Sequence, residues 1–167
     1  IIASFQTGAV SYLYYADRVY QINLAIAGIA VGTVSLPVLS KAFKMKNVKK
    51  ISDIQNKSFE LSLLFSIPAS FGLILASNEI VNSLFGYGSF SLNDVEMTAA
   101  ALKFFGYGVP AFALIKILSN FFFARDNTKT PFYISSFIVL LNILISIFFF
   151  NKIGFIIIPI ATSLSTW

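Results

Sequence analysis

Arg18 is the residue in this chain whose type and position most strongly predict chemistry. It lies near the start of an apolar stretch that continues to about Leu39. A charge at the centre of a membrane helix costs roughly 2.5–3.5 kcal/mol on insertion scales, so it usually faces a water-filled cavity or a partner. Because the planar guanidinium suits phosphate and carboxylate groups, we expect an anionic ligand at Arg18. The alternative is a side chain that extends to the membrane interface.

The residues around Arg18 recur at helical spacing. Intervals of three and four residues predict one helix face. Its side chains are polar near the start of the helix and small further along it. Asp17 points about 100° away from Arg18 and is free to pair with another helix. The pair Gly28 and Gly32 is typical of close packing between membrane helices, and we assign both a structural or gating role. The predicted face consists of Tyr14, Arg18, Gln21, Ala25, Gly28 and Gly32.

Lys116 is a second basic residue inside an apolar stretch, about eight residues from its end. It either contacts the same ligand or extends to the interface, and both interpretations fit its position equally. Lys103 is closer to the other end and is expected to anchor the helix at the interface. The candidate ligand-binding residues are therefore Arg18, Asp17, Gln21, Tyr14 and Lys116.

Other polar and aromatic side chains have simpler interpretations. Asn142 and Thr162 are expected to form hydrogen bonds between helices. Tyrosines near one boundary of the first long helix are typical of an aromatic belt at a membrane interface. These are Tyr12, Tyr14, Tyr15 and Tyr20.

The composition indicates a membrane protein. Hydrophobic residues make up 57% and charged residues 11%, with a mean hydropathy of +0.81, whereas soluble domains carry about 25% charged residues. Cysteine and histidine are absent, which excludes disulfides, thiolate catalysis and the usual zinc sites. The net charge of +5 lies in short connectors and does not predict nucleic-acid binding. Both ends lie inside apolar runs, so we interpret the chain as part of a longer protein.

The apolar runs predict an all-α bundle of about six membrane segments, forming one partial transmembrane domain over residues 1–167. We expect the fourth segment to be interrupted at Gly106, Gly108 and Pro110, and Thr130 to cap the fifth, with Pro131 at its first position. Residues 41–57 are expected to form a basic connector that is itself partly helical, and 78–94 a loop. The predicted helices are 9–40, 59–77, 95–124 and 131–150, with truncated segments at 1–8 and after 154.

The charges of the connectors predict an orientation. Basic residues cluster in 41–57 and in the short turn at 125–130, two spans later, whereas the connectors at the opposite end hold one lysine and three acidic residues. The positive-inside rule therefore places 41–57 and 125–130 in the cytoplasm. We expect Arg125, Asp126 and Lys129 to fix the helix pair they join, with a basic side chain near lipid phosphates. Simple electrostatic anchoring is the alternative.

Three separated motifs resemble the MurJ (MviN) family of lipid II flippases. The first runs over residues 7–21 and 28–40 and includes Ala-Asp-Arg at 16–18. The second is Leu-Phe-Gly-Tyr-Gly-Ser-Phe at 84–90. The third, at 115–131, ends in Arg-Asp-Asn-Thr-Lys-Thr-Pro. They occur in the family's order and cover nearly the whole chain.

This resemblance implies a multi-pass transporter of the bacterial inner membrane, with fourteen helices in two lobes around a central cavity. The chain would correspond to the end of the seventh helix through part of the twelfth. The implied substrate is the undecaprenyl-diphosphate-linked peptidoglycan precursor, lipid II, moved by alternating access. The implied partners are lipid II, membrane lipids and the remaining helices of the full-length chain. The family's cavity arginine maps to Arg18.

The chain departs from the family pattern at several positions. Asn23 replaces a common proline, which predicts the loss of a kink, and Asn120 stands where proline is frequent. Some members are thought to bind sodium through carboxylates in the later helices, but no acidic residue follows Pro131 here. A cluster of Asn142, Ser146 and Thr162 would have to bind a cation without a charged ligand, so we predict no metal site and no cofactor.

Two alternative functions were weighed against lipid II transport. One is another lipid-linked oligosaccharide exporter, or a drug or cation antiporter, of the multidrug/oligosaccharidyl-lipid/polysaccharide superfamily. The Ala-Asp-Arg motif and the 125–131 motif argue against it. The other is a membrane enzyme acting on a polyprenyl phosphate, which would typically need clustered Asp, Glu or His residues. The acidic residues here are scattered along the chain, so we predict a transporter and not an enzyme.

Overall fold

The computed structural model describes residues 8–167, and these fold entirely as helices and turns, with no strand. This confirms the predicted all-α membrane bundle, while the predicted segment at 1–8 lies almost wholly outside the described residues. Four helical stretches are long and apolar enough to cross a membrane. The elements are α1 (Ala9–Leu24), a π-helical segment (Ala25–Ala30), α2 (Val31–Lys44), α3 (Val48–Leu75), α4 (Ser77–Phe85), α5 (Leu92–Phe123), α6 (Lys129–Ile153), a 3-10 turn (Gly154–Ile156) and α7 (Ile157–Thr166).

Helix α5 forms the centre of the bundle, packing against α1, α2, α3, α4 and α7. The continuous helix from α1 through α2 runs parallel to it. At one end Tyr12 donates a hydrogen bond of 2.7 Å to Asp94, and at the other the Arg125 guanidinium lies 4.8 Å from the Phe43 ring centre. The two predicted basic connectors therefore lie at the same end, which we call the Arg125 end; the opposite end is the Asp94 end.

The predicted interruption of α5 at its glycines and proline is wrong, because α5 is continuous from Leu92 to Phe123. Pro110 has no N–H and leaves the carbonyl of Gly106 without its helical donor. The buried Ser70 hydroxyl on α3 donates to that carbonyl at 2.8 Å. Gly106 also lets α3 approach closely, since a Cβ there would lie 3.1 Å from the Leu73 side chain.

The hydroxyl of Ser70 should therefore contribute to the stability of the α3–α5 pair. We expect Ser70→Ala to lower the free energy of unfolding of the full-length protein by about 1 kcal/mol, because the buried Gly106 carbonyl loses its donor. The measurement is thermal unfolding of the purified protein in detergent. Ser52→Ala removes an exposed hydroxyl from the same helix and is the control. Equal unfolding midpoints for the two variants would contradict this role.

Two regions outside the predicted membrane helices are largely helical: the connector 41–57, which we expect to be partly helical, and the predicted loop 78–94. Within the predicted connector 41–57 only residues 45–47 are not helical, and α3 starts at Val48, where the Asn47 side chain accepts a hydrogen bond from the Lys50 N–H at 3.0 Å. Within the predicted loop 78–94, α4 forms because Ser77 and Val81, four residues apart, are both buried. Both stretches form helices because local capping and partial burial outweigh their polar composition.

The predicted cap at Thr130 is also wrong. Helix α6 starts at Lys129, one residue before it. Asn127 supplies the capping contacts instead: its side-chain oxygen accepts from the Thr130 N–H at 3.2 Å, and its amide donates to the Thr130 hydroxyl at 2.9 Å. The two ends of the Asn127 amide thus make both contacts at once, the oxygen accepting and the nitrogen donating.

Helices α6 and α7 form a hairpin. Gly154 ends α6 with a φ of 76°, a value that glycine adopts without steric cost. The Asn142 amide on α6 then donates to the Thr162 hydroxyl on α7 at 3.0 Å, which confirms the predicted hydrogen bond between helices. The Ser163 hydroxyl of α7 donates to the Phe104 carbonyl of α5 at 2.7 Å. The hairpin is therefore joined to the bundle through α7, while α6 stays exposed along most of its length.

Candidate functional site

Arg18 lies on an exposed face of α1, inside a stretch that is long and apolar enough to span a membrane. Its guanidinium carbon lies 4.7 Å from the centre of the Tyr14 ring, one turn earlier. Adjacent Asp17 accepts a hydrogen bond from the Gln21 amide on the same helix, so its carboxylate does not pair with another helix there. The Tyr14 ring packs against one face of the Arg18 guanidinium, and the N–H donors of the guanidinium stay available to an anion.

The prediction of one continuous face from Tyr14 to Gly32 is wrong. Arg18, Gln21 and Ala25 are exposed, whereas Gly28 and Gly32 are buried. The π-helical segment over Ala25–Ala30 lies between the two groups and interrupts the 3.6-residue periodicity on which the prediction rested. Asn23, which replaces the proline common in the family, donates a hydrogen bond to the Val19 carbonyl at 3.2 Å. The helix is therefore irregular just after this position even without the proline.

Gly28 and Gly32 pack against α5. A Cβ on Gly28 would lie 3.3 Å from the Ala113 Cα and 3.5 Å from the Lys116 side chain, and one on Gly32 would lie 2.5 Å from the Asn120 amide nitrogen. Gly28 thus lies beside Lys116 and Gly32 beside Asn120, at the same spacing of four residues on two parallel helices. From the sequence, Asn120 was identified only as a departure from the family pattern. The signal in the sequence that could have identified this contact was the shared four-residue spacing of Gly28 and Gly32 and of Lys116 and Asn120.

Lys116 lines a cavity of about 410 Å³ between α5 and α6. The cavity opens near the Arg125 end, and its wall carries amide and hydroxyl groups that can donate hydrogen bonds alongside the ammonium. Arg18 and Lys116 are not brought together: Gly28 touches Lys116, and ten residues of helix, or about 15 Å, separate Gly28 from Arg18. The polar residues lining the cavity are Lys116, Ser119, Asn120, Thr128 and Ser135.

Arg125 connects two helix ends. Its guanidinium lies 4.1 Å from the centre of the Phe121 ring and 4.8 Å from that of Phe43. Asp126 adopts a left-handed backbone with a φ of 57°, and the N–H of Asn127 donates to the Phe122 carbonyl at 3.0 Å, as in a Schellman C-cap. Lys129 is exposed at the start of α6. All three lie at the Arg125 end of the bundle, away from Arg18.

The predicted aromatic belt is only partly realised, because Tyr20 is buried in the bundle with 4% of its surface exposed. Its ring stacks on Phe105 at 5.2 Å, and its hydroxyl has no hydrogen-bond partner among the described residues. Tyr12 instead joins α1 to α5 through Asp94. The hydrophobic core lies between α1 and α5 on this side, which explains why a tyrosine that faces α5 is buried.

Comparison with known proteins shows what the chain is similar to. The sequence profile described as lipid II flippase MurJ matches residues 1–167. A Rickettsia prowazekii protein named probable lipid II flippase MurJ is 39% identical over 166 residues, covering 99% of this chain and 33% of that protein. A Rhizobium tropici protein of the same name is also 39% identical over 166 residues, covering 99% of this chain and 31% of that protein.

A solved structure agrees in fold. The structure of a lipid II flippase MurJ in an inward closed conformation superimposes with a TM-score of 0.89 at 31% sequence identity, covering 97% of this chain and 34% of that chain. This chain therefore spans about a third of the length of the relatives it matches. The profile match over its whole length, together with these relatives, shows that the chain belongs to the lipid II flippase MurJ family.

Proposed function

We propose that the full-length protein containing this chain moves lipid II from the inner to the outer leaflet of the bacterial cytoplasmic membrane, by alternating access. Arg18 carries the proposal. It is a cation inside a membrane-spanning stretch, its side chain is exposed, and it rests on an aromatic ring while the neighbouring Asp17 binds Gln21. Such a guanidinium is positioned to bind the diphosphate of a lipid-linked substrate.

Lys116 supplies a second cationic contact on this proposed route. It lies about 15 Å from Arg18 along the helix axis, towards the Arg125 end. The hydroxyl and amide groups around it can donate to phosphate oxygens. We assign Lys116 to an earlier position of the diphosphate, nearer the cytoplasm, and Arg18 with Tyr14 and Gln21 to a later one. Gly28 and Gly32 set the distance between the two helices that carry these cations.

The function is tested by depleting the full-length protein in its own bacterium. Lipid II exposed on the outer leaflet is expected to fall within one or two generations, while total lipid II rises because synthesis continues on the inner side. Re-expression of the protein should restore export. An unchanged outer-leaflet pool after depletion, in cells with no second exporter of the family, would overturn the proposal.

The orientation makes a separate prediction, because the Arg125 end holds most of the basic connector residues. Cysteines can be introduced one at a time at Lys46 and Ser89, both of which are exposed, in a full-length protein from which any cysteine outside this chain has been removed. In intact cells a membrane-impermeant thiol reagent should label the cysteine at position 89 and not the one at 46. Permeabilised cells, in which both should react, provide the control. Labelling of position 46 with protection of 89 would invert the proposed orientation.

A further inference from the structure

A cavity lined by aromatic rings lies at the Asp94 end of the bundle, between α1 and the loop that joins α4 to α5. Its volume is about 480 Å³. Four of its five lining residues belong to the motif at 84–90 and the fifth to the motif at 7–21, but the sequence alone did not indicate that the two segments meet. The lining residues are Tyr15, Phe85, Tyr87, Ser89 and Phe90.

Three of these rings form a packed cluster. The Tyr15 ring centre lies 4.8 Å from that of Phe85 and 5.4 Å from that of Phe90, with the latter pair edge to face. Phe85 and Phe90 lie 6.2 Å apart. Because each ring contacts the other two, the loop is fixed against α1 and the cavity wall is held in place.

Tyr87 differs from these three rings because it is 72% exposed. It lies in the tight turn between Phe85 and Phe90, where Gly88 has a φ of 67°. A large aromatic side chain at the rim of a cavity, exposed in this way, is available to pack against a ligand.

A chain of contacts leads from Arg18 to this cavity. The guanidinium carbon lies 4.7 Å from the Tyr14 ring centre, that ring lies 5.9 Å from Tyr15, and Tyr15 lies 5.4 Å from Phe90. A single substrate can therefore place an anionic group at Arg18 and a neighbouring group in the aromatic cavity.

We propose that this cavity binds a sugar ring of the lipid-linked substrate while its diphosphate is at Arg18. The inference rests on the proposed function, in which the substrate carries a disaccharide next to the diphosphate. Sugar rings present C–H groups with partial positive charge, which are attracted to the negative face of an aromatic ring. Their hydroxyl groups can pair with the hydroxyls of Tyr15, Tyr87 and Ser89. A hydrocarbon chain would pack against the rings but would form no hydrogen bonds with these hydroxyls.

Binding of three lipids to the purified full-length protein tests the proposal. Lipid II carries the disaccharide and the peptide, a peptide-free analogue carries the disaccharide alone, and undecaprenyl diphosphate carries neither. We expect Tyr87→Ala to weaken binding of the first two about fivefold to tenfold, the effect of losing one favourable ring contact, without changing the binding of the third. Tyr87→Phe keeps the ring and should retain most of the affinity. Tyr133→Ala, which removes an equally exposed tyrosine from α6, should bind all three lipids normally.

The outcomes separate this inference from the proposed function. If the unaltered protein binds lipid II and Tyr87→Ala binds all three lipids normally, the cavity does not hold the sugar, although transport of lipid II stands. An equal loss for all three lipids would assign the cavity to the lipid chain or to the local fold. A loss for lipid II alone would assign it to the peptide. If the unaltered protein binds neither lipid II nor undecaprenyl diphosphate, the proposed function itself fails.

Discussion

Replacing Arg18 with alanine is expected to abolish lipid II transport by the full-length protein without preventing its insertion into the membrane. Loss of hydrogen bonds between the guanidinium and the diphosphate should lower substrate affinity about 10- to 100-fold. Within residues 8–167 the side chain lies on the surface and contacts Tyr14, so its removal leaves the packing of these helices intact. The measurement is outer-leaflet lipid II in a depletion strain complemented with the variant, alongside the amount of protein in the membrane.

Arg18→Lys distinguishes two ways in which this cation can act. If the fork of the guanidinium binds the diphosphate through two parallel hydrogen bonds, lysine restores little transport. If only the positive potential of the cavity matters, lysine restores most of it. Lys103→Ala removes a different exposed cation from α5 and should transport normally. Normal export by a stably inserted Arg18→Ala protein would leave Arg18 as an anchor at the membrane interface.

Gly28→Leu is expected to destabilise the protein and to impair transport. A Cβ at this position would already lie 3.3 Å from the Ala113 backbone, and backbone cannot rotate away as a side chain can. The larger side chain must force the π-helical segment and α5 apart, and overpacking of this kind costs about 1–3 kcal/mol. It would also displace the Lys116 side chain, which lies 3.5 Å from the same Cβ. Thermal unfolding and lipid II export should both be measured.

Gly72→Leu provides a matched control for this substitution. Gly72 is also a glycine inside a membrane-spanning helix, but a Cβ there would have no other atom within 4 Å. The same change should therefore leave thermal stability unchanged or slightly higher, since leucine favours helix more than glycine does. If both variants lose stability equally, the cause is lipid exposure or insertion, and the close contact of Gly28 with α5 is not the reason.

The local properties of the sequence were enough to predict the class of fold and the principal candidate residue. Apolar runs of membrane length give spanning helices because the lipid core offers the backbone no other hydrogen-bond partner. The cost of a charge inside such a run singles out Arg18 without any structure. Asn142 and Thr162 were each correctly predicted to form a hydrogen bond between helices, because a polar group inside an apolar helix requires a partner; that they bond to each other is a finding of the structure.

Features that depend on irregular backbone or on distant partners were not predictable in the same way. The π-helical segment at Ala25–Ala30 leaves no clear signature in the sequence, so the face carrying Arg18 was wrongly extended to Gly28 and Gly32. The continuity of α5 depends on a serine from α3 that donates to the carbonyl left free by Pro110. Tyr20 was assigned to an interface because its burial depends on Phe105, which is remote in sequence.

The sequence by itself determined that this chain crosses the membrane as helices, which end of the bundle is basic, and that Arg18 is a charge inside an apolar stretch, for which we predict an anionic partner. These follow from hydropathy, charge and spacing, which are properties of single segments. Only the tertiary structure decided that Lys116 lies beside Gly28 and that Tyr15 joins the 86–91 loop in an aromatic cavity. Those arrangements depend on how parallel helices align along their length, and the alignment is fixed by contacts between residues about 70 to 90 positions apart.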